Sequence, residues 1–313
     1  MITFILRRLA TGVAMLVTIS ITAFVLLNLG ATDTARRLVG QTASAEIVAR
    51  KAAELGLDRP LGERFFEWIT AALTGDLGRS WQSGQSVVDA IATRLPVTLS
   101  LTIGAVIVSA ALAIALGALA AGRRGWTDRV VQVLSVIGGA IPGFLIALIL
   151  VLVFAISLRW FPATGYVRPE DSLGGWLATI ALPVIALSIG AIGSVAQQVR
   201  GSMIDALRHD YVRTLRARGL PHHRVVYRHV LRNAAGPALS TLGLQFIVMF
   251  GGAVIVEQVF SLPGIGQSAV AATVVGDVPF VMGIVIVTAI LVVIVNLAVD
   301  LLQGWLNPKV RLS

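Results

Sequence analysis

Long apolar runs without a charged residue alternate with polar segments along this chain of 313 residues. Six of the runs exceed the roughly 20 residues that a helix needs to cross a hydrocarbon core of about 30 Å, so they predict six transmembrane helices. A seventh charge-free window, 258–276, is less apolar and contains Ser261, Pro263, Gly264 and Gly266, and we interpret it as a loop. The six runs are 9–32, 95–122, 130–158, 172–199, 233–256 and 278–299.

The composition supports a membrane protein rather than a soluble one. Hydrophobic residues make up 56% of the chain and charged residues 13%, and the mean hydropathy is +0.86, whereas soluble domains have about 25% charged residues. We expect an all-α, polytopic membrane protein with an N-terminus and first helix (1–32), an extracytoplasmic segment (33–94) and a core of five helices (95–313). The absence of cysteine excludes disulfides, thiolate catalysis and cysteine-ligated metal.

The polar segment between the fourth and fifth runs, residues 200–236, is much more basic than the rest of the chain, and we call it the basic loop. Its eight arginines against Asp205 and Asp210 give a formal charge of +6, and it holds all four histidines of the protein. The arginines are Arg200, Arg208, Arg213, Arg216, Arg218, Arg224, Arg228 and Arg232, and the histidines are His209, His222, His223 and His229.

The basic loop has the pattern of two short helices joined by a tight corner, a shape that another protein could bind. Gly219 stands where a left-handed helix cap would lie, and Pro221 stands where a second helix could begin without an N–H group. Gly236 and Pro237 predict a break before the fifth run. Helical spacing predicts an apolar stripe at Ile204, Leu207, Tyr211 and Leu215, and a narrower apolar edge at Val226, Val230 and Leu231.

The basic residues of the short connections favour one side of the membrane. Arg7 and Arg8, the arginines at 123–129, the basic loop and the tail 307–313 fall on the same side of six spans. The positive-inside rule places that side, with both termini, in the cytoplasm. The arginine excess therefore follows topology, and we expect no nucleic-acid partner. A cleaved signal peptide is the alternative for the first run, but that run is longer than the usual core of about 7 to 15 residues.

The segment 33–94 is balanced in charge and resembles a small soluble domain. Residues 46–55 have a helical pattern, and Asp58 could cap a second helix. Two interpretations remain open: a small external cap that meets a docking partner, or a self-packed hairpin that closes over the helical bundle. The apolar positions of the second helix are Leu61, Phe65, Ile69 and Leu73.

A few residues within or next to the runs are candidates for a translocation pathway or gate, namely Pro142, Glu257 and Gln258. Pro142 ends a glycine-rich stretch, 138–143, that would weaken or kink the third helix, although proline and glycine are also ordinary in membrane helices. Glu257 could line a conduit or lie well hydrated at the outer interface. Leu95 and Pro96 begin the second run, where proline is tolerated in a first helical turn.

The chain lacks the residues of an energy source or an enzyme. A P-loop ends in Gly-Lys-Ser/Thr, and the two lysines, Lys51 and Lys309, follow Arg50 and Pro308. The sequence has no His-Glu-x-x-His motif, so we assign no catalytic, cofactor or metal site, and we interpret the histidines as solvated side chains. Ion-coupled carriers place ionisable groups at membrane depth, and the six runs contain none. We therefore expect the energy to come from a partner bound at the basic loop.

Here the sequence resembles a known family. Residues 210–220, Asp-Tyr-Val-Arg-Thr-Leu-Arg-Ala-Arg-Gly-Leu, followed by His229-Val-Leu-Arg-Asn233, are similar to the EAA loop of ABC importer permeases in its dipeptide/oligopeptide (nickel) form. Arg213-Thr-Leu departs from Glu-Ala-Ala, and Arg232 stands where many importers have proline. The resemblance implies an ATPase-coupling role for Asp210, Tyr211, Arg213, Arg216, Ala217, Gly219, Leu220, His229, Leu231 and Asn233.

The resemblance extends over most of the chain. Residues 55–60, 75–80 and 256–266 and the tail 307–311 are similar to segments of the first permease type of that family. Asn307 and Gly276 depart from its pattern and leave the substrate open among short peptides, nickel chelates, glutathione and opines.

The family implies a type I importer in a bacterial inner membrane. This permease would pair with a second, homologous permease, with two cytoplasmic ATP-binding subunits and with an extracytoplasmic substrate-binding protein. The alternatives from other classes are an ATP-independent channel or ion-coupled carrier and an intramembrane enzyme.

Overall fold

The computed structural model describes residues 2–29, 31–123 and 125–306, and within these ranges the regular elements are helices. Arg124 and the predicted basic tail with Asn307, Lys309 and Arg311 lie outside the described residues. In chain order the helices are α1 (Ile2–Asn28), α2 (Ala31–Val39), α3 (Ala45–Glu54), α4 (Leu61–Leu73), α5 (Val87–Arg123), α6 (Trp126–Ala140), α7 (Gly143–Leu150), α8 (Leu173–Leu207), α9 (Asp210–Ala217), α10 (His222–Arg224), α11 (Leu231–Val259), α12 (Ile265–Val275) and α13 (Val278–Leu306). Two π-helical segments, Val151–Ser157 and Val225–Val230, continue α7 and join α10 to α11.

In the described part of the chain, five helical stretches are long and apolar enough to cross a membrane: Leu6–Asn28, Val87–Arg123, Leu173–Leu207, His222–Val259 and Val278–Trp305. A sixth is obtained when Trp126–Ala140 and Gly143–Ser157 are counted as one span bent by 94°. The all-α, polytopic architecture agrees with the prediction from the apolar runs.

The bend in the third span lies at the predicted weak point. Ile141 is extended, with φ −82° and ψ 123°, and Pro142 caps α7 without an N–H to donate. A residue before proline is driven out of the helical conformation by the proline ring. The helix therefore breaks between Ala140 and Gly143.

Several predicted helix ends are wrong, for two physical reasons. The helix α5 begins at Val87, so that Pro96 lies inside it and not in its first turn, and α11 passes through Pro237 without the predicted break. The helix α8 continues beyond Arg200 to Leu207. Backbone hydrogen bonds continue past a charged residue, and membrane helices tolerate proline when neighbouring groups satisfy the freed carbonyls.

The window 258–276 is not only a loop, as predicted, because it contains the helix α12. Gly276 ends this helix in the left-handed conformation, with φ +85°, and its N–H donates to the carbonyl of Ala272 at 2.9 Å. The helix was missed because it is short and its flanking glycines and proline resemble a turn.

The chain divides into two compact units. Unit 1 comprises residues 1–97 and 263–294, and unit 2 comprises 98–262 and 295–313. One apolar cluster of unit 1 contains Phe24, Phe65, Trp68, Trp81 and Met282, and a second contains Val87, Ile91, Ile265, Phe280 and Ile284. Unit 2 is built around a cluster that includes Val195, Val199, Met203, Val212, Val225 and Val230.

Within unit 1, the segment 33–94 folds onto itself and onto α1 and α13. Ser44 caps α3 by accepting from the N–H of Ile47 at 3.4 Å. The predicted cap at Asp58 is wrong, because Pro60 occupies the N-cap position of α4 and no side chain caps it. The predicted stripe of α4 is partly correct, since Phe65 packs with Phe24 and Trp68, whereas Leu61 and Leu73 are exposed.

Candidate functional site: the corner of the basic loop

The corner of the basic loop is a capped helix end. After α9, the N–H of Gly219 donates to the carbonyl of Arg216 at 2.9 Å, and the N–H of Leu220 donates to the carbonyl of Leu215 at 3.3 Å. These two bonds form the pattern in which a left-handed glycine ends a helix. Gly219 has φ +78°, as the sequence predicted.

A side chain at position 219 would have room, so crowding is not the reason for a glycine at this corner. A Cβ atom at position 219 would meet no atom within 4 Å. The reason for glycine is therefore the positive φ, which costs an ordinary residue about 1–2 kcal/mol.

The inner face of the loop is apolar and packed. Val212 is buried, and the side chains of Tyr211, Leu215 and Leu220 pack against the apolar cluster of unit 2. The predicted stripe does not lie on one helix, because Arg208 and His209 separate α8 from α9. Its four members nevertheless pack against that same cluster, together with the second edge of Val226, Val230 and Leu231.

The outer face of the loop is basic. Its arginines other than Arg200 are exposed, and so are Asp205 and Asp210. In the described part of the chain, the only one of these exposed arginines with a carboxylate within ion-pair distance is Arg213, whose Nη1 lies 3.6 Å from Asp210 Oδ1. The exposed arginines are Arg208, Arg213, Arg216, Arg218, Arg224, Arg228 and Arg232.

Arg200 differs from the other arginines of the loop because it is half-buried within α8. Its Nη2 donates to Asp128 Oδ2 of α6 at 2.7 Å, and its Nε donates to the other carboxylate oxygen. This bidentate pair joins two helices of unit 2 and leaves the outer charge of the loop to the exposed arginines.

The residues predicted for coupling separate into two groups. Tyr211, Leu220, His229 and Leu231 are half-buried, whereas Asp210, Arg213, Arg216, Ala217, Gly219 and Asn233 are exposed. The corner therefore has a packed side and a polar side, and a partner could contact the second without disturbing the first.

The pathway candidates do not form one site. Pro142 lines a cavity of about 470 Å³ between α7, α8 and α11, together with Val256, but Glu257 and Gln258 do not line it. The sequence analysis missed the polar residues Ser194 and Gln245 of this lining. Only their position inside an apolar run could have indicated them.

Glu257 is fully buried in α11, so its interpretation as a hydrated interface residue is wrong. The Thr98 hydroxyl of α5 donates to Glu257 Oε1 at 2.5 Å. The two residues are 159 positions apart, and nothing in the apolar pattern relates them. Gln258, the neighbouring candidate, is exposed.

No group of three or more histidine and acidic side chains in the described residues is placed to hold a metal ion. His222 and His223 are exposed at the start of α10.

Comparisons with known proteins agree with the helical architecture. The family model described as "binding-protein-dependent transport system inner membrane component" matches residues 113–312, and its N-terminal counterpart matches residues 1–102. A probable peptide ABC transporter permease of Sinorhizobium fredii is 37% identical over 98% of this chain and 99% of its own length. A putative peptide transport system permease of Brucella abortus is 37% identical, and a glutathione transport system permease of Salmonella choleraesuis is 36% identical, each over 99% of both chains.

Proposed function

This chain belongs to the family of binding-protein-dependent transport system inner membrane components, and from that premise we propose that it is a permease subunit of an ATP-driven importer for short peptides. It forms half of the translocation pathway and receives mechanical work at the basic loop. The names and full-length similarity of the peptide and glutathione permeases support this substrate class.

The observation that carries the coupling proposal is the two-sided corner at Gly219. A short helix, α9, has its apolar side packed on the cluster of unit 2 and its polar side exposed. A partner that displaces α9 also displaces the cluster residues of α8 and α11, because close-packed side chains transmit a shift instead of absorbing it. ATP-driven closure of a bound motor would thus alter the membrane helices and produce alternating access.

The motor subunits in this proposal are two cytoplasmic ATPases, and the basic loop lies in the cytoplasm with both termini. A second, homologous permease supplies the other half of the pathway, and an external binding protein delivers substrate to it in a bacterial inner membrane. The exposed arginines orient the ATPases. Each exposed charge pair contributes only about 0–1 kcal/mol, so we expect shape and apolar contact to supply more of the affinity.

The cavity at the bend of the third span supports a pathway for substrates without strong charge. Among the described residues, its lining is apolar except for Ser194 and Gln245 and includes no acidic or basic side chain. Such a surface favours neutral parts of a peptide, with a few hydrogen bonds from the two polar side chains. Pro142, at the break between α6 and α7, is part of this lining.

Buried Glu257 favours a second candidate function, an ion-coupled carrier. A carboxyl group inside a membrane helix is costly and is a common proton site in such carriers. Uptake by an ion-coupled carrier would persist with inactive ATPases and would be lost in Glu257→Gln. The importer predicts loss of uptake with inactive ATPases.

Cargo and motor can be tested together by reconstituting the chain with its partner subunits and measuring ATP hydrolysis. We expect dipeptides or oligopeptides, presented by the binding protein, to stimulate hydrolysis several-fold. Stimulation by a nickel chelate, glutathione or an opine alone would replace the peptide assignment with that cargo. If no cargo stimulates hydrolysis in a complex that binds ATP, the importer proposal is wrong.

A further inference from the structure

A second cavity, unrelated to the basic loop, lies within unit 1. It has a volume of about 310 Å³, and its wall combines apolar and charged side chains. Cavities of this size hold small organic ligands. The residues that matter below are Phe24, Arg59, Arg64, Glu67, Trp68 and Trp81.

Two arginines of this wall differ in their partners. Arg59 forms a bidentate pair with Glu67, with Nη2 to Oε1 at 2.5 Å and Nη1 to Oε2 at 2.8 Å. Arg64 has no carboxylate within ion-pair distance in the described ranges, and its Nη2 donates to the neutral amide oxygen of Asn28. One arginine of the wall is therefore neutralised and the other is not.

The surroundings of Arg64 destabilise its positive charge. Burial lowers the pKa of its guanidinium, the charge of Arg59 lowers that pKa further, and Asp58 acts in the opposite direction. The guanidinium carbon lies 5.9 Å from the centre of the Phe24 ring, which partly compensates the charge. A partly desolvated cation with one neutral acceptor attracts an anion, because burial of a charge is costly unless it is paired.

The polar groups beside Arg64, on Asn28 and Trp68, are buried. Asn28 is buried, and its Nδ2 donates to the Phe24 carbonyl at 2.8 Å, so its oxygen faces Arg64. The indole nitrogen of Trp68, on the next turn of α4, is buried and presents almost no surface to the cavity. Arg64 thus contributes the donor of the wall that a bound acceptor could reach.

We propose that this cavity binds a small carboxylate with an apolar body, such as the C-terminal residue of a short peptide. The carboxylate accepts hydrogen bonds from the Arg64 guanidinium, and the apolar side chain packs against Phe24 and Trp81. The wall also contains the carboxylate of Asp76, which accepts from the N–H of Gly78 at 2.8 Å, so the preference for an anion rests on Arg64, which lacks a carboxylate partner in the described residues, and not on the net charge of the wall. The site shares no lining residue with the cavity at Pro142 and does not depend on the peptide assignment.

The test uses the purified complex of permeases and ATPases without the external binding protein, which would itself take up peptides. Radiolabelled N-acetyl-leucine is the probe, because it has one carboxylate, an apolar side chain and no ammonium group. We expect saturable binding that unlabelled N-acetyl-leucine displaces at least ten times better than N-acetyl-leucinamide. Equal displacement by the acid and the amide would overturn the proposal.

A variant tests the role of Arg64. We expect Arg64→Gln to weaken binding at least tenfold. The matched control is Arg50→Gln, which removes the same charge from an exposed arginine of α3 that does not line this cavity, and it should bind within twofold of the wild type.

Unchanged affinity in Arg64→Gln would overturn the assignment of this donor. If Arg64→Gln does not fold, as judged by its thermal midpoint, the comparison of the acid with the amide on the wild type decides the question. The absence of saturable probe binding would also overturn the proposal. If the probe does not bind but Arg64→Gln weakens attachment of the external binding protein, the cavity is a protein docking surface instead.

Discussion

The basic loop and the segment 33–94 are both polar segments of an apolar chain, but they differ in whether their charged side chains form ion pairs. The exposed arginines of the loop, apart from Arg213, have no carboxylate within ion-pair distance in the described residues. The apolar side chains of the loop pack within the main cluster of unit 2. The segment has equal numbers of acidic and basic residues, and several form pairs on its surface, such as Arg59 with Glu67. Unpaired surface charge indicates a surface for a partner, whereas paired charge indicates a segment that is largely self-contained.

The segment also contains a buried polar contact. Asp277, which is almost fully buried before α13, accepts a hydrogen bond from the Ser80 hydroxyl and one from the N–H of Trp81 at 3.0 Å. The N–H of Phe280 lies 3.4 Å from the same carboxylate. In the loop, the bidentate pair of Arg200 with Asp128 lies at its half-buried start, and the corner at Gly219 is held by packing.

The largest effect should come from Gly219→Val. Valine resists the positive φ of the corner, so α9 would lose its cap and the loop its shape. We expect peptide uptake to be abolished and membrane insertion to stay normal, as measured in proteoliposomes and by membrane fractionation. Gly236→Val is the matched control, because Gly236 lies in a helix with no atom within 4 Å of an added Cβ, and it should transport normally. Normal uptake by Gly219→Val would contradict the role of the corner.

A second variant, Asp277→Ala, should release part of the segment 33–94. It leaves the Ser80 hydroxyl and the Trp81 N–H without their acceptor, at about 1–3 kcal/mol for each buried group. We expect trypsin to cleave after the exposed Arg79 at least tenfold faster, as followed by the appearance of the N-terminal fragment. Asp89→Ala, at an exposed position of the same region, is the control. An unchanged cleavage rate would mean that Asp277 does not hold this region.

Packing and hydrogen bonding at the loop can be separated at Tyr211. Its hydroxyl is buried without a partner in the described residues, so we expect Tyr211→Phe to keep uptake within about twofold, which corresponds to less than 0.5 kcal/mol. Tyr211→Ala removes the apolar contact and should lower the peptide transported per ATP several-fold. Equal losses in both variants would show that the hydroxyl, and not the packing, is what coupling requires.

The smallest effect concerns the surface pair of Arg59 and Glu67. The hydrogen bond and charge of Arg59 hold the pKa of the Glu67 carboxyl below its ordinary value. A lowered folded-state pKa stabilises the protein above the unfolded pKa of about 4.3, and this contribution is lost as pH falls through the folded value. We expect Glu67→Gln to lower the thermal midpoint slightly at pH 6 and to differ less from the wild type at pH 3. A larger difference at pH 3 than at pH 6 would contradict the pairing.

The sequence predicted the features that depend on neighbouring residues. Apolar runs gave the spans, and the positive φ of Gly219 and the break at Pro142 followed from the conformational limits of glycine and proline. Helix ends were less predictable. The runs were bounded by charged residues, but α8 continues through Arg200, which pairs with Asp128, 72 positions earlier.

The buried contact of Glu257 and the attachment of the segment 33–94 could not be predicted. Thr98 and Glu257, or Ser80 and Asp277, are brought together by the packing of distant helices. A periodic pattern places a residue on a face of its own helix and does not identify the residue that it meets. The difference between Arg59 and Arg64, five positions apart with similar neighbours in sequence, also follows only from the fold.

The central claim is that the work of transport comes from a separate ATPase acting at the basic loop. The most direct measurement compares peptide accumulation by proteoliposomes that contain the full complex with wild-type ATPases, the full complex with catalytically inactive ATPases, or this chain alone. We predict accumulation against a gradient only with wild-type ATPases and ATP. Accumulation against a gradient by the inactive complex, or by this chain alone, would contradict the claim.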